Sequence, residues 1–231
     1  MREAVSSVRH QDDGGTKMKD EFSVLICGVG GQGLVLVSNV IGNACAASNL
    51  RVITGEQHGL SQRSGAVSIH LRIGSDVRSP LIPVGMGDAI VSLEALETLR
   101  YIEYLKEGGL VLMNSRVAFP ITDTAELVKK KSTKYFGRED VENKLKQVTA
   151  NIFSVDALEL ARQAGNPLTE NTVLLGAMSV FESFPVPQEA LRESIAKTVP
   201  QKAKDANLKA FELGAKASHD RFCTLFPCRK I

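Results

Sequence analysis

The side chains best suited to chemistry lie close together in one glycine-bounded run, Gly55-Glu56-Gln57-His58-Gly59-Leu60-Ser61-Gln62-Arg63-Ser64-Gly65. A carboxylate, an imidazole, amides, a hydroxyl and a guanidinium within so short a span can exchange protons or hold an anion. Arg63 in particular offers the planar fork that fits phosphate or carboxylate. The plain alternative is that Glu56 and Arg63 pair with each other and brace the loop. A second run, Gly28-Val29-Gly30-Gly31-Gln32-Gly33, follows an apolar stretch and opens another. That is the pattern of a turn delivering an anion to a helix N-terminus: Gly28 for the tight turn, Gly30 for close approach, Gly33 for helix-strand packing. No Ser-His-Asp or paired-carboxylate set can be assembled from spacing, so no catalytic nucleophile or general base is assigned.

The elements needed to position these groups read as alternating strands and helices. Phe22-Cys27 predicts a strand, Leu34-Ala47 a helix and Arg51-Thr54 a second strand, after which Glu56 would meet a ribose if the turn served NAD. Ala66-Ile73 predicts a strand with His70 on its less apolar face, as a hydrogen-bonded surface or interface group. Asp88-Ser92 predicts a strand, Glu94-Lys106 a helix stopped at Gly108-Gly109, and Gly108-Asn114 a strand. Ser115-Thr149 is irregular and carries Lys129-Lys130-Lys131 and Lys134, either a solvated helix end or a docking point for an acidic ferredoxin or a phosphate-bearing cosubstrate. Ala150-Val155 predicts a strand. Helices follow at Asp156-Ala164, Glu170-Phe184, Gln188-Thr198 and Gln201-Ala217, the last with a stripe of Ala203, Ala206, Ala210, Leu213 and Ala217 and with Asn207 as a cap or bridge. The expected fold is α/β: Rossmann-like, with a mostly parallel sheet, helices on both faces and a helical C-terminal part.

Composition narrows the class. A 231-residue chain can bury one sizeable core, and its net charge of +2, with scattered basic residues and no Trp, does not suggest nucleic acid. Residues 1–20 are polar and lack an apolar signal core; they read as a disordered leader, with Met18 as an alternative start. No apolar run approaches the ~20 residues of a membrane span. Cys27 and Cys45 read as small buried hydrophobes, Cys223 and Cys228 lie near the C-terminus, and no cysteine spacing suits an iron-sulfur cluster or zinc, so no metal site is assigned. The expected organisation is a leader (1–20), a single domain (21–217) and a tail (218–231) in a cytoplasmic protein.

The glycine turn, the Gly55-Val67 run, Ser79-Pro80-Leu81-Ile82-Pro83, Ala89-Ile90-Val91-Ser92-Leu93-Glu94-Ala95-Leu96-Glu97, Asn171-Thr172-Val173-Leu174-Leu175-Gly176-Ala177 and Asn207-Leu208-Lys209-Ala210-Phe211-Glu212-Leu213-Gly214 together resemble the gamma-type domain of the 2-oxoacid:ferredoxin oxidoreductases. The likeness is nearest to the beta-subunit branch serving indolepyruvate and spans about Glu21 to Ala217. It implies a subunit of an oxygen-sensitive enzyme that oxidatively decarboxylates aryl pyruvates with coenzyme A and reduces ferredoxin. It further implies thiamine diphosphate and [4Fe-4S] clusters in a larger alpha-subunit partner, with no cofactor held by this chain alone. Gly28, Gly30, Gly31, Gln32, Gly33, Glu56, Gln57, His58, Ser61, Gln62 and Arg63 would form the surface turned toward that partner's site.

Two other readings use the same residues. A stand-alone NAD-dependent dehydrogenase would place Glu56 on the ribose. An adenylating enzyme of the ubiquitin-activating type would use the glycine turn with polar contacts near Asn49-Leu50-Arg51, although its usual zinc cysteine pairs are missing.

Overall fold

The computed structural model describes residues 21–59, 65–117 and 137–229. Its strands are β1 (Glu21–Val29), β2 (Val52–His58), β3 (Ala66–Gly74), β4 (Gly87–Ser92), β5 (Leu105–Asn114) and β6 (Ile152–Val155). Its helices are α1 (Leu34–Ala47), α2 (Ala95–Arg100), α3 (Arg138–Leu145), α4 (Ala157–Gln163), α5 (Glu170–Ser179), α6 (Gln188–Thr198) and α7 (Lys204–Phe222). The strands form one six-stranded sheet in the order β2-β3-β1-β4-β5-β6. β4, β5 and β6 extend from β1 in parallel, whereas β3 runs antiparallel to both β1 and β2.

The near-continuous apolar run of β1 follows from coverage on both faces. Val24 and Ile26 belong to a large core with α1 and the C-terminal helices, while Leu25 and Cys27 belong to a smaller one with α2 and α3. Burial pushes the thiols of Cys27 and Cys45 up to about 12, so both behave as small apolar side chains. His70 is also buried, not at the surface as expected. Its Nδ1 accepts the Ile82 N–H at 3.1 Å, and its ring meets Tyr104 edge-on with centroids 5.0 Å apart.

Several predicted boundaries move, each for a packing reason. β2 continues past Thr54 to His58 because β3 supplies backbone partners from Val52↔Ile73 to His58↔Val67. A strand at the rim of a sheet can end in polar residues without leaving the ladder. The helix expected over Glu94-Lys106 ends at Arg100, and a 3-10 turn at Ile102–Tyr104 feeds Leu105 into the smaller core. Gly108 and Gly109 therefore lie inside β5, with Gly108 at φ 68. The helix expected over Glu170-Phe184 stops at Ser179, where the hydroxyl donates back to the Gly176 carbonyl at 2.7 Å.

In α7 the buried stripe is Asn207, Ala210, Phe211, Gly214, Ala215, Ser218 and Phe222, one step round from the predicted one. Two glycines set this rotation. A Cβ at Gly176 would overlap the Phe211 carbonyl oxygen, and one at Gly214 would overlap that of Val173. The backbones of α5 and α7 thus pack in direct contact. α7 runs on past Ala217 to Phe222, and a disulfide that spacing did not suggest joins Cys223 to Cys228. Residues 1–20 and Lys129, Lys130, Lys131 and Lys134 lie outside the described residues. Among the described residues no helix is long and apolar enough to cross a membrane.

Candidate functional site

At the carboxyl ends of β1 and β4 the chain leaves the sheet toward opposite faces, to α1 and to α2, and the glycine turn occupies this switch point. Gly31 (φ 93) and Gly33 (φ 77) take left-handed conformations, which other residues enter only with strain. Gln32 fastens the turn at both ends: its Oε1 accepts the Val29 N–H at 2.7 Å and its Nε2 donates to the Leu93 carbonyl at 3.2 Å. A Cβ at Gly28 would come within 2.5 Å of the Gln32 Oε1, so a side chain there would make this amide shift.

A cleft of about 710 Å³ opens over the turn. Gly30, Gly31, Gly33 and the first residues of α1, Leu34 and Val35, form one wall; His58, Gly59, Gly65 and Val67 form the other. The Gly30 N–H donates to the Gly65 carbonyl at 2.9 Å, binding the turn to the β2–β3 connection. That N–H is therefore engaged by the protein, so close approach of an anion would fall to the first turn of α1.

The predicted site residues divide accordingly. Gly30, Gly31, Gly33 and His58 line the cleft, and Gly28 and Gln32 shape it from behind. Glu56 is exposed and lies on the His58 side of β2, its carboxylate 3.2 Å from His58 Nε2. Gln57 pairs in register with Ser68 and so projects from the opposite face of the sheet. Ser61, Gln62 and Arg63 lie outside the described residues.

Among the described residues the alternative sites are not formed. Glu56 stands on β2, separated from β1 by β3 and engaged by His58, so it does not flank the glycine turn as a ribose-binding acid would. Asn49-Leu50-Arg51 follow the far end of α1, about 20 Å along the helix from the turn.

A second tier of polar residues sets the turn from the C-terminal half, and of these only Asn207 was expected from the sequence, as a cap or bridge. Asn171 Nδ2 donates to the Gly33 carbonyl at 3.1 Å, and its Oδ1 accepts the Thr172 N–H at 2.8 Å. Thr172 donates its hydroxyl to Asn207 Oδ1 at 2.7 Å, and Asn207 Nδ2 donates to Ala203 O at 2.8 Å. Asn114 reaches Glu170 at 2.7 Å, and Glu170 pairs with Arg116 at 2.9 Å. The available signal was that Asn171 and Asn207 each head one of the matched segments. What the sequence lacked was the meeting of Asn171 with Gly33 and of Thr172 with Asn207.

Below the switch point, Glu94 caps α2 by accepting the Glu97 N–H at 2.9 Å. Burial raises the Glu97 carboxyl, with Arg100 at 2.9 Å opposing the shift. Among the described residues, no group of three or more His, Cys, Asp or Glu side chains is placed to hold a metal. The arrangement is a cleft with glycine backbone and the first turn of α1 on one side and the end of β2 and start of β3 on the other.

Residues 23–217 match the family model described as pyruvate ferredoxin/flavodoxin oxidoreductase. The chain is 40% identical over 201 residues to "Indolepyruvate oxidoreductase subunit IorB" of Pyrococcus horikoshii, a match covering 87% of this chain and 97% of the relative. It is 40% identical over 208 residues to the subunit of the same name from Thermococcus kodakarensis, with the same coverage of 87% and 97%. Among solved structures, the gamma subunit of a keto/oxoacid ferredoxin oxidoreductase from Geobacter sulfurreducens superposes with a TM-score of 0.62 at 24% identity, over 86% of this chain and 99% of that one. The match runs from β1 through most of α7 and includes the glycine turn, the cleft walls and the Asn171–Asn207 relay; the chain belongs to the pyruvate ferredoxin/flavodoxin oxidoreductase family.

Proposed function

We propose that this chain is the smaller subunit of an indolepyruvate:ferredoxin oxidoreductase, the enzyme that converts an aryl pyruvate and coenzyme A to an aryl-acetyl-CoA and carbon dioxide while reducing ferredoxin. The observation that carries this reading is identity of 40% extending over 97% of subunits named for indolepyruvate oxidation. The cleft fits a subordinate role: it offers glycine backbone, a helix N-terminus and the exposed Glu56–His58 pair, without a nucleophile placed beside a general base.

In this reading a larger alpha subunit holds thiamine diphosphate and [4Fe-4S] clusters. Thiamine supplies the carbanion chemistry of decarboxylation, and the clusters carry electrons singly to ferredoxin. This chain contributes the surface at the cleft. Its glycine turn and α1 N-terminus receive an anionic part of coenzyme A or the 2-oxoacid, and the connection bearing Ser61, Gln62 and Arg63 completes the partner's site. The assembly is cytoplasmic, operates without oxygen and serves amino-acid breakdown. Residues 21–217 act as one catalytic-complex domain.

The test is co-expression with the large subunit encoded in the same source, purified under anaerobic conditions. Co-elution of the two chains, with indolepyruvate- and coenzyme A-dependent reduction of ferredoxin, is the expected result. Stable binding of NAD by this chain alone, with turnover of a 2-hydroxy acid, would replace the reading.

A further inference from the structure

The last described residues are clamped onto the sheet's far side by a closure that the family match does not cover. Cys223 caps the C-terminus of α7, and Cys228, five residues on, is disulfide-bonded to it and bridges Phe181 in the antiparallel sense. Between them, Phe226 enters the aromatic cluster of the sheet edge, its ring 5.8 Å from Phe153 of β6 and 5.4 Å from Phe181. Arg229 holds the other end, its N–H donating to Val180 O at 2.7 Å and its guanidinium donating to the carbonyls of Val186 and Phe184. The Glu182 N–H donates to Pro227 O at 3.2 Å.

Both bonded cysteines are half-buried and the loop between them reaches solvent, with Leu225 80% exposed. Thiol exchange requires access to a sulfur, and Cys223 and Cys228 both keep part of their surface exposed. The remaining cysteines do not: Cys27 and Cys45 are fully buried and their thiols are held well above the range in which a thiolate forms. Redox chemistry of the chain's cysteines is therefore confined to one pair, at the point where the residues after α7 are tied to the segment that follows α5.

We propose that Cys223 and Cys228 form a reversible thiol–disulfide site that takes a thiol reductant and controls how firmly the tail is clamped over the Phe153–Phe181 cluster. A reductant thiolate attacks one sulfur of the pair, giving a mixed disulfide and a free protein thiolate. A second reductant thiol then displaces the other cysteine. Two reductant thiols become one disulfide, and two electrons and two protons pass to Cys223 and Cys228. Once the covalent link is lost, the hydrogen bonds of residues 227–229 and the Phe226 contacts must hold the tail alone. Without the link the clamp is weaker, and the segment leaves the aromatic cluster more often.

The test equilibrates the full purified chain in oxygen-free glutathione buffers spanning oxidised to reduced. After an acid quench and alkylation, the tryptic peptide of residues 222–229 is weighed. The expected result is a single two-electron transition between the linked and the doubly alkylated peptide. Reduction lowers Tm by about 4–8 °C and speeds chymotryptic cleavage after Leu225. Cys223→Ser and Cys228→Ser should each match the reduced wild type and no longer respond to the buffer. Because reduction of the wild type is itself a readout, poor folding of either variant does not remove the test. Doubly alkylated peptide in every buffer, a link that resists excess dithiothreitol, or identical Tm and cleavage rates for the two redox forms would overturn the proposal.

Discussion

The Asn171 side-chain amide lies 3.1 Å from the carbonyl oxygen of Gly33, 138 residues away in the chain, and ends the glycine turn from the opposite half of the molecule. The same amide stands where a Gly33 side chain would project, so one contact both needs the glycine and holds it. Gly33→Ala should therefore incur two penalties, a left-handed φ of 77 and a collision with Asn171. Together these cost about 2–4 kcal/mol in urea unfolding. Asn171→Ala alone should cost about 1–2 kcal/mol by taking the acceptor from the buried Thr172 N–H and a donor from the Gly33 carbonyl. In the double variant the collision disappears while the strain remains, so the two losses should add to less than their sum. Full additivity would show that the pair is not coupled.

The contact of α5 with α7 gives a harsher expectation. Gly176→Ala and Gly214→Ala would each push a methyl group into a backbone carbonyl rather than into a flexible side chain. Each should lose about 3 kcal/mol or more, or fail to fold, whereas Ala210→Gly on the same face of α7 should lose only about 1 kcal/mol. Chemical denaturation midpoints with unchanged slopes would establish the difference.

His70 sets a pH dependence whose sign follows from its burial. Burial lowers its pKa from 6.5, so the folded state holds it neutral while the unfolded chain takes up a proton at higher pH. Its neutrality costs nothing above the unfolded value; as pH falls through 6.5 toward the lowered folded value, the unfolded state binds more protons and stability declines. Urea midpoints measured from pH 7.5 to 5 should fall for the wild type and fall less steeply for His70→Gln. Parallel curves would exclude His70 as the source.

Arg63 tests the role of the β2–β3 connection at the shared site. In the assembled two-subunit enzyme, Arg63→Ala should reduce kcat/KM for coenzyme A or the 2-oxoacid by about 10–100-fold, the worth of one charge-assisted hydrogen bond. Arg63→Lys should recover only part, since an ammonium cannot reproduce the fork. Normal kinetics combined with weakened subunit association would make it a brace rather than a substrate contact.

The isolated chain should fold, show no 2-oxoacid oxidation and, after anaerobic reconstitution with iron and sulfide, show no cluster absorbance. Stoichiometric iron and sulfide on this chain alone would contradict that division of labour.

Much of the fold was legible because its signals are local. β1, the glycine turn and α1 announce themselves through an apolar run, closely spaced glycines and a helical period, and the strands at Ala66 and Asp88 do so by their side-chain pattern. The true end of β2 was not legible. Polarity from Glu56 onward suggests a loop, and only pairing with β3 keeps those residues extended. The same limit hid the rotation of α7: alanines mark a plausible stripe, but the contact is decided by Gly214 against Val173 and Gly176 against Phe211, partners on another helix. At the site, Gly33 was readable and Asn171 was not, since a buried amide reveals its role only through the carbonyl it meets.

The position of β3 bears on how the protein is made. β1 is synthesised before its two neighbours in the sheet, β3 and β4, and before the groups that shape its turn, Gly65, Leu93 and Asn171. The turn after β1 must therefore wait for most of the chain before its geometry is set. A nascent or truncated product ending before α5 would carry the glycine turn in sequence without its shape. Recognition by a partner that reads this turn would then select for chains whose synthesis has passed Asn171.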